Sequence, residues 1–140
     1  MRELTTTEEI RELLAGAKVF AVLGANPKTE KPAHYVGKYL QDHGYKVLPV
    51  NAMHADKQIW GQQVVARLDE LKQPVDIVDI FRRADALEGH LEEILAMDPR
   101  PRVVWLQEGI RNDAFAQKLI AEGIQVVQDR CPKRQHEKLF

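Results

Sequence analysis

The chain has 140 residues, 44% hydrophobic and 29% charged, which places it among folded single domains and outside disordered chains. Twenty basic residues against 21 acidic ones leave a formal charge of −1, so no global field draws it to nucleic acid or to an anionic membrane. No apolar stretch approaches the roughly 20 residues of a membrane span, and the one cysteine, Cys131, excludes an internal disulfide and suits a reducing compartment.

Thr5 with Glu8, and Thr6 with Glu9, both spell a capping box. Ile10, Leu13 and Leu14 follow on one side of a helix that Gly16 closes, a leading helix expected to cover a sheet. This segment is charged and lacks the apolar core of a signal peptide, so the cytoplasm is the expected location. Residues 18–23 form an apolar, branched run suited to a strand buried on both faces. Gly24 ends it, a polar loop follows, and Pro32 sits at a first helical position, where its missing N–H costs nothing. Val36, Tyr39 and Leu40 recur at helical spacing up to His43, and Gly44 is the stop.

Residues 46–50 read as a second strand, with Pro49 expected at its end or on an edge because proline cannot donate to a ladder. Residues 51–62 are irregular. Val64, Val65, Leu68 and Leu71 predict a short helix over 63–71. Residues 74–80 give a third strand in which aspartates alternate with apolar residues, so one face is expected to be less buried or to meet a helix end. The clearest helix is predicted over 84–97, from the stripe Leu87, Leu91, Ile94 and Leu95. A fourth strand spans 102–106. Asn112 caps a helix carrying Phe115, Leu119 and Ile120, Gly123 stops it, and a fifth strand spans 124–127. The tail from Asp129 to Phe140 is expected to be mostly irregular or a short helix.

Strands alternating with helices at this spacing predict an α/β fold with a parallel sheet and helices on both faces. In such sheets the ligand lies beyond the carboxyl ends of the strands. Five stretches meet there: residues 24–31, 51–54, 81–83, 107–111 and 129–131. The first is a strand–turn–helix, whose free N–H groups and positive helix end favour an anion, most often a phosphate. It is not the dinucleotide fingerprint, for it has one glycine where three are needed, and the second strand ends in Asn51 where an NAD site wants an acid. Arg82 and Arg83 can clamp a phosphate through planar charged forks. Gly109 permits close approach to backbone. Glu108 is read as a solvated loop acid, Cys131 as a buried thiol, and Trp60 and Trp105 as packing residues. The histidines show no metal-ligand spacing; His34, in the first turn of the key helix, can bond a phosphate, and His43, His54, His90 and His136 are read as surface residues.

The series AVLGANP, PAHYVGKYLQDHGYKVLPVN, VDIVDIFRRA, VWLQEGIRN and VVQDRC resembles the small single-domain CoA-binding proteins, which are similar to the CoA-binding domain of the succinyl-CoA synthetase α-subunit. The likeness runs from about Thr6 to Cys131. It implies one Rossmann-like domain over residues 1–140, with about five parallel strands in the order 3-2-1-4-5, holding coenzyme A or an acyl-CoA at the strand ends. By family position, Gly24, Ala25 and Asn26 with Lys31 and His34 meet the diphosphate, and Val50 and Asn51 lie near the adenosine end. Phe81, Arg82 and Arg83 line the nucleotide and pantetheine path, and Gln107 and Gly109 face the pantetheine arm. Where the family carries Asn-Pro after the second strand, this chain has Asn51-Ala52. The synthetase's phosphorylated histidine lies in a second domain, so no ligase chemistry is implied.

The favoured expectation is a CoA-binding module without catalysis of its own, since no catalytic constellation is visible. Two alternatives stand beside it. One is an enzyme, either an NAD(P)-dependent oxidoreductase or an acyl-CoA-processing protein using Glu108 or Cys131. The other is a CoA-sensing regulatory partner that docks on another enzyme. No nucleic acid, membrane or metal is expected, and a protein partner or a homo-oligomer is left open.

Overall fold

In the computed structural model, which describes residues 2–140, the elements run α1 (Thr7–Gly16), β1 (Val19–Leu23), α2 (Pro32–Asp42), β2 (Lys46–Val50), β3 (Gln58–Ile59), β4 (Gln62–Gln63), β5 (Ile77–Ile80), α3 (Leu91–Leu95), β6 (Val103–Leu106), α4 (Asp113–Ala121), β7 (Gln125–Val127) and α5 (Pro132–Leu139). Strands β1, β2, β5, β6 and β7 pair in parallel to form one sheet, and β3–β4 is a separate small hairpin. No helix among the described residues is long and apolar enough to cross a membrane.

Side chains alternate across the strands and are buried on both sides, so the apolar runs fill two cores. On one face Phe20, Val22, Ile77, Val103, Trp105 and Val127 pack with Ile10 and Leu14 of α1, Val36 and Leu40 of α2, and Cys131 just before α5. On the other, Ala21, Leu23, Val78, Ile80, Val104 and Leu106 pack with Leu87, with Ile94 of α3, and with Phe115 and Leu119 of α4. The capping box of α1 forms as the sequence implies: Thr6 Oγ1 accepts from the Glu9 N–H, and Glu9 Oε1 accepts from the Thr6 N–H.

The strand order differs from expectation. In sequence order the five main strands lie 2-1-3-4-5, where 3-2-1-4-5 was expected. Pro49 supplies the physical reason. The Lys46 N–H donates to Lys18 O, so Lys46, Leu48 and Val50 turn their N–H groups toward β1, and the Pro49 nitrogen faces away. A further strand on that side would lose a ladder bond, so β2 belongs at the edge. Only Val65 pairs there, through an isolated bridge to Val50.

Two segments also depart from their expected form. Residues 63–71 are not a helix: extended backbone carries Val65 to the β2 edge, and one 3-10 turn over Leu68–Glu70 buries Leu68. The helix expected over 84–97 splits into a 3-10 helix, Ala84–His90, and the short α3. Gly89 weakens helical backbone at that junction, while Leu87 and Ile94 keep their buried places in either form. The tail, expected to be mostly irregular or a short helix, takes the helical form from Pro132, which sits where the first turn tolerates it. Neither aspartate face of the third strand is open at Asp79, which is fully buried between its register partners Val22 and Trp105.

Candidate functional site

The carboxyl ends of the sheet strands converge as the α/β winding requires, and the loops are tied to one another. Asn51 Nδ2 donates to Ala25 O, joining the loop after β2 to the loop after β1. The Gly24 N–H donates to Val50 O, and the Phe81 N–H donates to Leu23 O. Asp129 Oδ1 accepts from the Gly109 N–H at 2.6 Å, joining the loops after β7 and β6. Gly24 has φ +93°, and a Cβ there would lie 2.6 Å from Phe81 O. Its lack of a side chain lets the loops after β1 and β5 touch, at the point where the strand order reverses.

A cavity of about 740 Å³ opens at this rim. One wall is α2, through Pro32, Tyr35 and Val36. The floor is Phe81, Arg82 and Arg83 after β5 and Gln107, Glu108 and Ile110 after β6. The far wall is Cys131 with Lys133, Arg134 and Glu137 of α5. Four cations against two carboxylates make this a locally positive place on a nearly neutral molecule. Glu108 pairs with Arg134 at 3.4 Å, Glu137 with Lys133 at 3.2 Å, and Arg83 with Asp85 at 3.3 Å. Arg82 has no ion-pair partner among the described residues. Gln107 is 9% exposed, and its Oε1 is buried without a hydrogen-bond partner. A buried amide left unpaired costs free energy, and a ligand donor would repay it.

Of the residues singled out from sequence, Phe81, Arg82, Arg83 and Gln107 line this cavity together. Gly24, Ala25, Asn26, Lys31 and His34 stand beside it in the β1–α2 turn. There the Asn26 N–H donates to Ala33 O and Asn26 Oδ1 accepts from the Lys28 N–H, so asparagine shapes the loop. Ala25 is fully buried. Lys31 is the exposed N-cap of α2, with no side-chain cap bond. His34 Nδ1 donates to Asn26 O at 2.9 Å. The neutral imidazole then keeps only an acceptor at Nε2, so His34 can donate to an anion only when protonated.

Val50 and Asn51 are not brought to the cavity. Val50 is fully buried in the opposite core, and both ends of the Asn51 amide are engaged, by Ala25 O and the Met53 N–H. Gly109, at φ +87°, sits on the neighbouring loop. Among the histidines read as surface residues, His90 is half-buried and bonds Glu93 at 2.5 Å, and His136 is held between helices.

Sequence reading missed α5 as a wall. The signal was present in Pro132 before a charged octapeptide, but only packing against α2 reveals which side faces the cavity. It also missed Gly37, where a Cβ would stand 2.2 Å from Trp60. The Trp60 ring fills that gap and its Nε1 donates to His34 O, which bolsters the first turns of α2.

The family described as CoA binding domain matches residues 18–137. The Bacillus subtilis (strain 168) protein YneT is 38% identical over 128 residues, covering 91% of this chain and 92% of its own. Among solved structures, a Thermus thermophilus protein is 47% identical with a TM-score of 0.92, covering 97% of this chain and 100% of its own. A Pyrococcus horikoshii OT3 protein is 32% identical with a TM-score of 0.88, covering 99% and 96% respectively.

Proposed function

The chain belongs to the CoA-binding domain family, and on that premise we propose that it binds coenzyme A or an acyl-CoA in the cavity between α2 and α5, without catalysis of its own. The observation that carries this reading is the pairing of an uncommitted guanidinium, Arg82, with a buried unpartnered amide, Gln107, in one cavity. The two chemistries match a ligand with phosphates at one end and an amide-bearing arm at the other. The N-terminus of α2 supplies the diphosphate site, with Gly24, Ala25, Asn26, Lys31 and His34 around it. Phe81, Arg82 and Arg83 border the path, Gln107 and Gly109 flank the pantetheine arm, and Val50 and Asn51 act from outside the cavity, holding the Gly24–Ala25 turn through Val50 O and Asn51 Nδ2.

The likeness to the CoA-binding domain of the succinyl-CoA synthetase α-subunit is part of the same reading. The cytoplasm is its proposed setting, in keeping with one free cysteine. Calorimetric titration with CoA, and with NAD and ATP as competitors, tests it. Saturable CoA binding that NAD fails to displace is expected. Absence of CoA binding at about 1 mM, equivalent to less than about 4 kcal/mol, would end the proposal.

A further inference from the structure

Cys131 is the single cysteine of the chain, and it lies on the cavity wall at the entry to α5, 6% exposed. It also borders the adjoining polar cavity formed with Arg111, Arg130 and Gln128, so this residue lines both openings. Gln107, nine-tenths buried with an unpartnered Oε1, lines the same cavity and marks the space between them as built for a polar guest. The proposed ligand ends in a thiol. If its diphosphate sits at the end of β1, the sheet order β1-β5-β6-β7 places the residues after β7 three strand spacings away, roughly 14 Å. The extended pantetheine arm can cover that span, passing Gln107.

We propose that Cys131 is a thiol-exchange site at which the protein takes up oxidised coenzyme A as a mixed disulfide, an inference that rests on the CoA reading above. The Cys131 thiolate attacks one sulfur of CoA disulfide. A Cys131–CoA disulfide forms, the CoA–CoA disulfide breaks, and one CoA leaves as thiolate and takes the proton that Cys131 gave up. Oxidation state is conserved, since one disulfide replaces another. A reducing thiol reverses the step and leaves CoA free. The module thereby holds one CoA covalently when the surrounding pool is oxidised and releases it when the pool is reduced.

The test is intact-mass spectrometry, without reductant, of the reduced protein mixed with CoA disulfide or with glutathione disulfide. Calorimetry with reduced CoA runs in parallel. One CoA adduct per chain is expected, removed by dithiothreitol, formed at least about tenfold faster than the glutathione adduct, and slowed in Arg82→Ala. CoA bound by calorimetry with no adduct overturns the exchange site and leaves the CoA reading standing. Equal rates with the two disulfides also overturn it, because they mean an ordinary accessible thiol. Absence of CoA binding overturns both proposals together.

Discussion

Gly24 shows how one residue joins two loops. Its φ of +93° disfavours any side chain, and the Phe81 carbonyl occupies the space a Cβ would need. Gly24→Ala is therefore expected to destabilise the fold by about 1–3 kcal/mol, from backbone strain and from displaced backbone at Phe81. A lowered urea midpoint checks this, and a midpoint unchanged from wild type would show that the loops can part freely. The arginines two steps away behave differently, because they touch little of the protein. Arg83 shares only an exposed pair with Asp85, a contact worth little. Replacing Arg82 and Arg83 with Ala should leave stability within about 0.5 kcal/mol. CoA affinity should fall about tenfold or more, since each charge-assisted bond is worth roughly 1.5–3 kcal/mol. Equal loss of folding and binding would make the arginines structural. Gly24 and the arginine pair were legible as special in sequence. The neighbours that decide their separate roles, Phe81 O and Asp85, were not, because the first is a contact between segments distant along the chain.

At the scale of elements, α5 carries the least predictable contribution. It is held to α2 by an aromatic cluster: Tyr39 Oη bonds His136 Nδ1 at 2.8 Å, His136 stacks on Phe140, and His43 lies 5.2 Å away. Tyr45 meets the same ring edge-on, and Lys133 sits over the Tyr39 ring. Burial, and then the nearby His43, push His136 below its ordinary pKa, against an opposing effect of Glu137. The unfolded chain then binds more protons than the folded one just below the ordinary histidine value of about 6.5. His136 thus adds stability that is fully present above that value and is lost as pH falls toward its folded pKa. The melting temperature should drop on acidification from about pH 7 to about pH 5.5, and His136→Gln should shrink that drop. An unchanged drop in the variant would place the acid sensitivity elsewhere. His136 was read from sequence as a surface residue, and a polar octapeptide offers no apolar stripe to say otherwise. The burial of His136 arises from Tyr39 on α2, from His43 and Tyr45 in the turn that follows it, and from Phe140.

Over the whole molecule, the centre of the sheet holds an unpaired acid. Asp79 is fully buried, both its oxygens lack partners, and desolvation pushes its pKa well above the ordinary aspartate range. The folded state therefore keeps a proton that the unfolded chain loses above about pH 3.9, so this group lowers stability as pH rises from there toward its folded pKa. Its slope is opposite in sign to that of His136, at most about 1.4 kcal/mol per pH unit. Asp79→Asn removes the ionisation, and its advantage over wild type should widen as pH rises, read from urea melts across pH. A constant difference at every pH would show that Asp79 does not titrate this way. Its alternation with apolar residues suggested a half-open face, but helices on both sides closed that face, and a two-residue period cannot report what covers a strand.

The same contrast runs through the fold. Apolar runs, glycine and proline stops and capping residues determined the parallel α/β plan, the α1 cap and the convergence of loops at one rim, because these follow from neighbours within a few residues. Pro49 even carried the edge position of β2 in its missing N–H. Tertiary structure alone decided the neighbours of the other strands in the 2-1-3-4-5 order, the break of the helix expected over 84–97, the wall built by α5 and the cavity that unites Phe81, Arg82, Gln107 and Cys131. Those depend on which surfaces bury each other across the chain, and pairing energies between distant segments leave no local period to read.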